Sequence, residues 1–96
     1  MNRKEHLLAC LAEECDEVGQ RVMKALRFGL DEVQDGQSLS NQQRISEELF
    51  DLIAVATICD REGLLAGVEP NEKAVQRKLQ KIEKFMAISK AQGVLE

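Results

Sequence analysis

The sequence predicts an all-α protein, an antiparallel bundle of three main helices in a single domain that spans residues 1–96. Three observations support this prediction. Apolar side chains recur at three- and four-residue intervals in three separate segments, which is the period of an amphipathic helix. Asn2 with Glu5, and Ser40 with Gln43, form capping-box patterns that begin the first two helices. Hydrophobic residues make up 44% of the chain but aromatic residues only 3%, so the core must be aliphatic.

The first helix is predicted to follow Asn2 and to run to Phe28, with Gly29 as its stop. Its apolar stripe consists of Leu7, Leu11, Val18, Val22, Ala25 and Leu26. The polar residues between 30 and 40 break this pattern and predict a loop with a short helical turn at residues 31–33.

The second helix is predicted to follow Ser40 and to run to Glu62, where Gly63 ends it. Its apolar stripe consists of Ile45, Leu49, Leu52, Val55, Ala56 and Cys59. Pro70 suits the first turn of a third helix that runs to about Ala91. The stripe of this last helix consists of Val75, Leu79, Ile82 and Met86.

Two groups of acidic residues stand out against these stripes. On the first helix, Glu14 lies at the edge of the stripe and Glu17 a little further round. On the second helix, Glu48 falls inside the stripe and Asp51 at its margin. A carboxylate inside an apolar face is costly to bury unless its charge is compensated, and several converging carboxylates repel one another. A bound cation is the natural partner for such a group.

The pattern Glu13-Glu14-x-x-Glu17, followed after a helical stretch and a loop by Glu48-x-x-Asp51, resembles the paired acidic motifs of the MazG-like all-α nucleoside triphosphate pyrophosphohydrolases. The resemblance covers about residues 7 to 85. It implies a MazG-like fold completed by oligomerisation, and hydrolysis of (d)NTP to (d)NMP and pyrophosphate with Mg²⁺ or Mn²⁺, as in nucleotide-pool housecleaning. It also implies that Glu14, Glu17, Glu48 and Asp51 bind the metal.

The same resemblance leads us to expect that Glu13 assists these ligands in catalysis, as an outer group or a base that orients water. Lys78 and Lys81, beside the stripe of the third helix, are candidate phosphate contacts. Stacking on the base must fall to Phe28, Phe50 or Phe85 or to a partner chain, and of these Phe28 is the chosen candidate. The chain departs from the family pattern at Phe50, where a glycine is common. The last helix also lacks most of the family's lysine and asparagine pattern.

Charge and composition exclude other classes. Residues 1–69 hold seven basic and fourteen acidic side chains, whereas residues 70–96 hold six and three, so an acidic body precedes a basic last helix. This distribution does not fit a duplex nucleic-acid partner. Three cysteines that match no zinc spacing are typical of buried thiols in a reducing cytoplasm, and no apolar run predicts a membrane span or signal peptide.

Two alternatives of other classes remain. A di-iron or di-manganese carboxylate bundle requires Glu-x-x-His pairs, and the one histidine, His6, does not follow a glutamate at that spacing. A helical interaction or regulatory module with this fold but without activity would leave the acids as solvated faces. For the predicted bundle itself a homodimer or a dimer of dimers is expected, because three short helices leave an apolar side open. The sequence does not identify the preferred base or sugar.

Overall fold

The computed structural model describes all 96 residues and contains three helices and no strand. Helix α1 spans Arg3–Phe28, α2 spans Asn41–Arg61 and α3 spans Glu72–Ala91. The all-α prediction and the three helices are confirmed. Both predicted capping boxes are present, with the side chains of Asn2 and Ser40 each accepting a hydrogen bond from the third backbone N–H of their helix. No helix combines the length and apolarity required to cross a bilayer.

Helices α1 and α2 pack as an antiparallel pair that is held at both ends. At one end the guanidinium of Arg3 makes a two-pronged ion pair with Glu62, with an Nη2 to Oε2 distance of 2.8 Å. Nearby, Cys59 is fully buried, and its thiol donates to the carbonyl oxygen of Leu7 at 3.5 Å. At the other end Ala25 is buried, close to the turn that leads into α2.

The connection between these helices is organised by Asn41, whose side chain is almost fully buried. Its Nδ2 donates to the carbonyl oxygen of Gly29 at 2.9 Å and to Oε1 of Glu32 at 3.1 Å. Gly29 ends α1 with a φ of 100°, a backbone conformation that is costly for any residue with a side chain. The short helical turn predicted at residues 31–33 is wrong, because Val33 instead forms an isolated antiparallel bridge with Ser40.

Asn41→Ala is expected to lower the free energy of unfolding by about 2 kcal/mol, because a buried side chain and its two hydrogen bonds to the loop are lost. Urea denaturation followed by circular dichroism measures the change. Gln42→Ala is the matched control, since its side chain is exposed at the next position of the same helix turn. Equal effects of the two substitutions would show that the buried amide of Asn41 does not hold the loop.

Helix α3 does not join the α1–α2 pair. It makes no contact with either helix and contains no buried residue. Asn71 caps it, so Pro70 precedes the helix and does not lie in its first turn as predicted. Two glycines with positive φ, Gly63 and Gly67, turn the chain between α2 and α3, and the Gly67 N–H donates to Oδ1 of Asp60. The predicted bundle of three helices is therefore a two-helix pair and a separate third helix within one chain.

Candidate metal centre on the helix pair

Three carboxylates meet at the middle of the α1–α2 contact because the two helices are antiparallel. Arg3 pairs with Glu62, so a step of fourteen residues forward from Arg3 and fourteen back from Glu62 brings Glu17 level with Glu48. Glu14 lies one turn before Glu17 on the same face of α1. The fold thus converts two acidic patterns that are 31 residues apart along the chain into one cluster.

The cluster consists of Glu14, Glu17 and Glu48. One carboxylate oxygen of each lies within 4.8 Å of one oxygen of each of the others. All three residues are half-buried, and Oε2 of Glu14 and Oε2 of Glu48 are shielded from solvent without a hydrogen-bond partner. Buried acceptors without a donor are costly, so the geometry leaves these oxygens in need of a positively charged or donating ligand.

Burial raises the pKa of the Glu48 carboxyl, and the nearby carboxylates raise it further. Desolvation of the charged form is the largest cause. Glu17 raises the pKa of Glu48 further, through a hydrogen bond that favours the protonated form and through charge repulsion. Asp51 also raises it by charge repulsion. The positive charge of Arg21 opposes these effects but does not cancel them. The metal-free site therefore disfavours the ionisation of Glu48.

The raised pKa of Glu48 predicts a stability change with pH. The pKa of Glu48 in the folded state lies above its ordinary value of 4.5. At pH values between these two pKa values, the folded state binds more protons than the unfolded state. The free energy of unfolding should fall as pH rises through this window, and the penalty should persist at neutral pH. Glu48→Gln removes the ionisation, so the variant should melt at a higher temperature than the wild type at pH 7 without metal.

Thermal melts of both proteins from pH 4 to pH 8 in a chelating buffer measure this difference. The hydrogen bond with Arg3 lowers the pKa of Glu62, so the stability that Glu62 contributes is lost as pH falls. This pH dependence is opposite in sign to that of Glu48. Because Glu62 is present in both proteins, it cancels in the comparison. A difference in melting temperature that stays constant across the pH range would contradict the assignment to Glu48.

The other predicted acids lie around this cluster. Asp51 is exposed and outside the trio, but its charge acts on Glu48 from the next turn of α2. Glu13 is exposed and also lies outside the trio, so its assisting role stays a prediction.

The predicted substrate contacts are not brought to the acids within one chain. Lys78 and Lys81 lie on α3, which does not contact α1 or α2, and border a shallow groove against the chain end at residues 94–95. Phe28 ends α1, about 16 Å along the helix from Glu17. Its half-exposed ring lies under the guanidinium of Arg27, 4.8 Å from the ring centroid.

Sequence reasoning missed Arg21. Its Nη1 is buried without a hydrogen-bond acceptor, and its charge acts on Glu48, yet it forms no ion pair with any carboxylate. The signal was present in the spacing, because Arg21 follows Glu17 by four residues and Glu14 by seven, which places all three on one face. His6, in contrast, lies near Cys10, with its Nε2 3.6 Å from the thiol, and does not belong to the cluster.

Comparison of the chain with protein-family models, with curated proteins and with solved structures found no match. What the helix pair offers is a compact set of oxygen ligands with a guanidinium at its edge.

Proposed function

We propose that this protein is a MazG-like, metal-dependent nucleoside triphosphate pyrophosphohydrolase that converts a (d)NTP to the (d)NMP and pyrophosphate. The observation that carries the proposal is the meeting of Glu14, Glu17 and Glu48, one oxygen from each within 4.8 Å of the others, with two of their oxygens buried and unpartnered. The resemblance of the two acidic motifs supplies the reaction class.

The ligand set suits Mg²⁺, or Mn²⁺ in its place. Both are hard cations that prefer carboxylate oxygen, and the cluster offers oxygen without competing sulfur or imidazole. Glu14, Glu17 and Glu48 would hold the ion, with Asp51 at the edge of the site. The bound ion would neutralise phosphate charge and polarise a water molecule for attack on the α-phosphorus.

The chain's own side chains would bind and orient the substrate. The unpartnered Nη1 of Arg21 is a buried donor beside the acids and suits a phosphate oxygen. Glu13, which precedes Glu14 in the sequence and is exposed, would take a proton from the attacking water. As water adds to the α-phosphorus, the bond to the pyrophosphate oxygen breaks, and pyrophosphate leaves with its electron pair.

The remaining contacts in the proposal depend on assembly. Lys78 and Lys81 would bind phosphate, and Phe28 would stack on the base, in a homodimer or a dimer of dimers that brings α3 of one chain near the helix pair of another. We propose a cytoplasmic location, which suits both the free thiols and a nucleotide substrate. Neither a duplex nucleic acid nor a membrane enters this proposal.

Pyrophosphate release from the common and several modified triphosphates, with Mg²⁺ and with a chelator, tests the proposal. We expect metal-dependent release with at least one substrate. The second candidate function is an interaction module without activity, which is favoured by the long exposed apolar face of α3. No release from any triphosphate by a metal-loaded, folded protein would establish that alternative over the hydrolase.

A further inference from the structure

A single chain leaves an unusually large surface uncovered. Its accessible surface is 7702 Å², whereas a folded monomer of this mass exposes about 5,500 Å². Its radius of gyration is 16.8 Å, against about 12.5 Å for a compact chain of 96 residues. Only three residues are buried, which are Ala25, Cys59 and Asn41. The excess of about 2,200 Å² is within the range that each subunit of an obligate dimer buries.

One part of this excess is the apolar stripe of α3. Four apolar residues follow one another at intervals of four, three and four residues, and Phe85 borders the same groove as two of them. The stripe consists of Val75, Leu79, Ile82 and Met86, which are 39–49% exposed. This spacing is that of a helix that packs lengthwise against other helices. Within its own chain, α3 contacts neither α1 nor α2, and only residues 94–95 of the chain end lie beside its stripe.

The other part is a second apolar surface on the α1–α2 pair. On α1 it consists of Leu8, Val22 and Leu26, and on α2 of Leu49, Phe50 and Ile53, all more than a third exposed. On each helix these residues are rotated in the same sense from the face that joins the pair, most of them by about 80–120°, whereas Phe50 lies nearly opposite that face. Because the helices are antiparallel, equal rotations of the same sense place both sets on one side of the pair. The result is a two-helix surface of the kind that a third helix covers.

Charge distinguishes the possible occupants of this surface. Residues 70–96 carry six basic and three acidic side chains, and residues 1–69 carry seven basic and fourteen acidic ones. Pairing α3 with a second α3, or one helix pair with another, would bring like charges together. Placing α3 against a helix pair joins opposite charges and covers both apolar surfaces at once.

We propose that the apolar face of α3 docks on the second apolar surface of the α1–α2 pair of another copy of this chain, reciprocally, to form a two-fold homodimer. Each copy then contributes one docking helix and one docking surface, as a closed two-fold interface requires. Glu17 and Asp51 are rotated the other way from the α1–α2 contact, so they stay on the open side of the pair. The docked α3 therefore does not carry Lys78 and Lys81 to the acids within this homodimer, and the phosphate contacts proposed for these lysines require the further contact of a dimer of dimers. The inference does not depend on the proposed enzymatic activity.

The mass of the protein in solution is the first test. Sedimentation equilibrium at micromolar concentration should give twice the chain mass. Leu79→Glu places a charge in the α3 stripe and should weaken dimerisation at least tenfold. Gln80→Glu adds the same charge on the exposed side of α3 and should leave the dimer intact. A monomeric wild type, or equal effects of the two substitutions, would overturn the proposal.

Disulfide trapping identifies the docking surface without relying on a destabilised variant. Cys15 is exposed on α1, on the same side as Leu8 and Val22, and serves as a native probe. In a Cys10→Ala background, Leu79→Cys, Ile82→Cys and Met86→Cys are oxidised one at a time, with Gln80→Cys as the control. At least one of the three should form a covalent dimer through Cys15, identified by peptide mass spectrometry, and the control should not.

The outcome of a further Cys15→Ser substitution decides between geometries. Loss of the covalent dimer supports docking of α3 on the helix pair. Persistence of the dimer would show that two α3 helices pair with each other and would overturn the proposal. A disulfide to Cys15 within one chain would also overturn it, because α3 would then fold back on its own helix pair.

Discussion

Magnesium is expected to raise the free energy of unfolding by about 2.7 kcal/mol at a hundredfold excess over its Kd, which for a domain of this size raises the melting temperature by about 10–20 °C. The physical reason lies in the metal-free site. Glu14, Glu17 and Glu48 hold their carboxylates together, and two of their oxygens are buried without partners. A divalent cation relieves both the repulsion and the unsatisfied acceptors. Scanning calorimetry across a magnesium titration measures the effect.

Matched salt conditions provide the control for this prediction. Sodium chloride at equal ionic strength screens repulsion between exposed charges but does not bind the buried oxygens, so it should raise the melting temperature much less. Asp51 is exposed outside the trio, so Asp51→Asn should reduce the magnesium effect less than Glu48→Gln. A response to sodium chloride as large as the response to magnesium would contradict a specific metal site.

The helices could be predicted from sequence because their signals are local. The capping boxes at Asn2 and Ser40 and the apolar periods depend on neighbours within a few residues. The loop was less predictable, because its conformation depends on Asn41, whose amide reaches back twelve residues to Gly29. The position of α3 could not be predicted from its pattern, since an amphipathic stripe shows that a helix needs a partner but not which partner.

The candidate site was predictable in part for the same reason. Glu48 could be identified because it interrupts an apolar stripe, and its pairing with Glu17 then follows from the antiparallel register. Arg21 was missed because an arginine beside a stripe usually extends to solvent. Only the packing of α2 against α1 shows that its Nη1 is enclosed.

Glu48→Gln should lower pyrophosphohydrolase activity by about 100-fold or more, whereas Glu47→Gln should leave it nearly unchanged. Loss of groups that only support metal ligands costs 10–100-fold, and Glu48 is proposed as a ligand itself. The substitution keeps the shape of the side chain but removes the charge of one of the three acids of the cluster. Glu47 is adjacent in sequence but exposed and outside the cluster, so it controls for any general effect of removing one charge from α2.

Two measurements on each variant separate chemistry from folding. Steady-state pyrophosphate release gives kcat/KM, and thermal melts with and without magnesium give the metal-linked stability. For Glu48→Gln, activity and magnesium stabilisation should fall together while the metal-free protein becomes more stable, because repulsion and burial of charge are removed. A fold defect would instead lower the activity, the magnesium stabilisation and the stability of the metal-free protein together. If Glu48→Gln and Glu47→Gln behave alike in the melts and in the assay, the carboxylate site is not a metal centre. The interaction module without activity then becomes the better account of this fold.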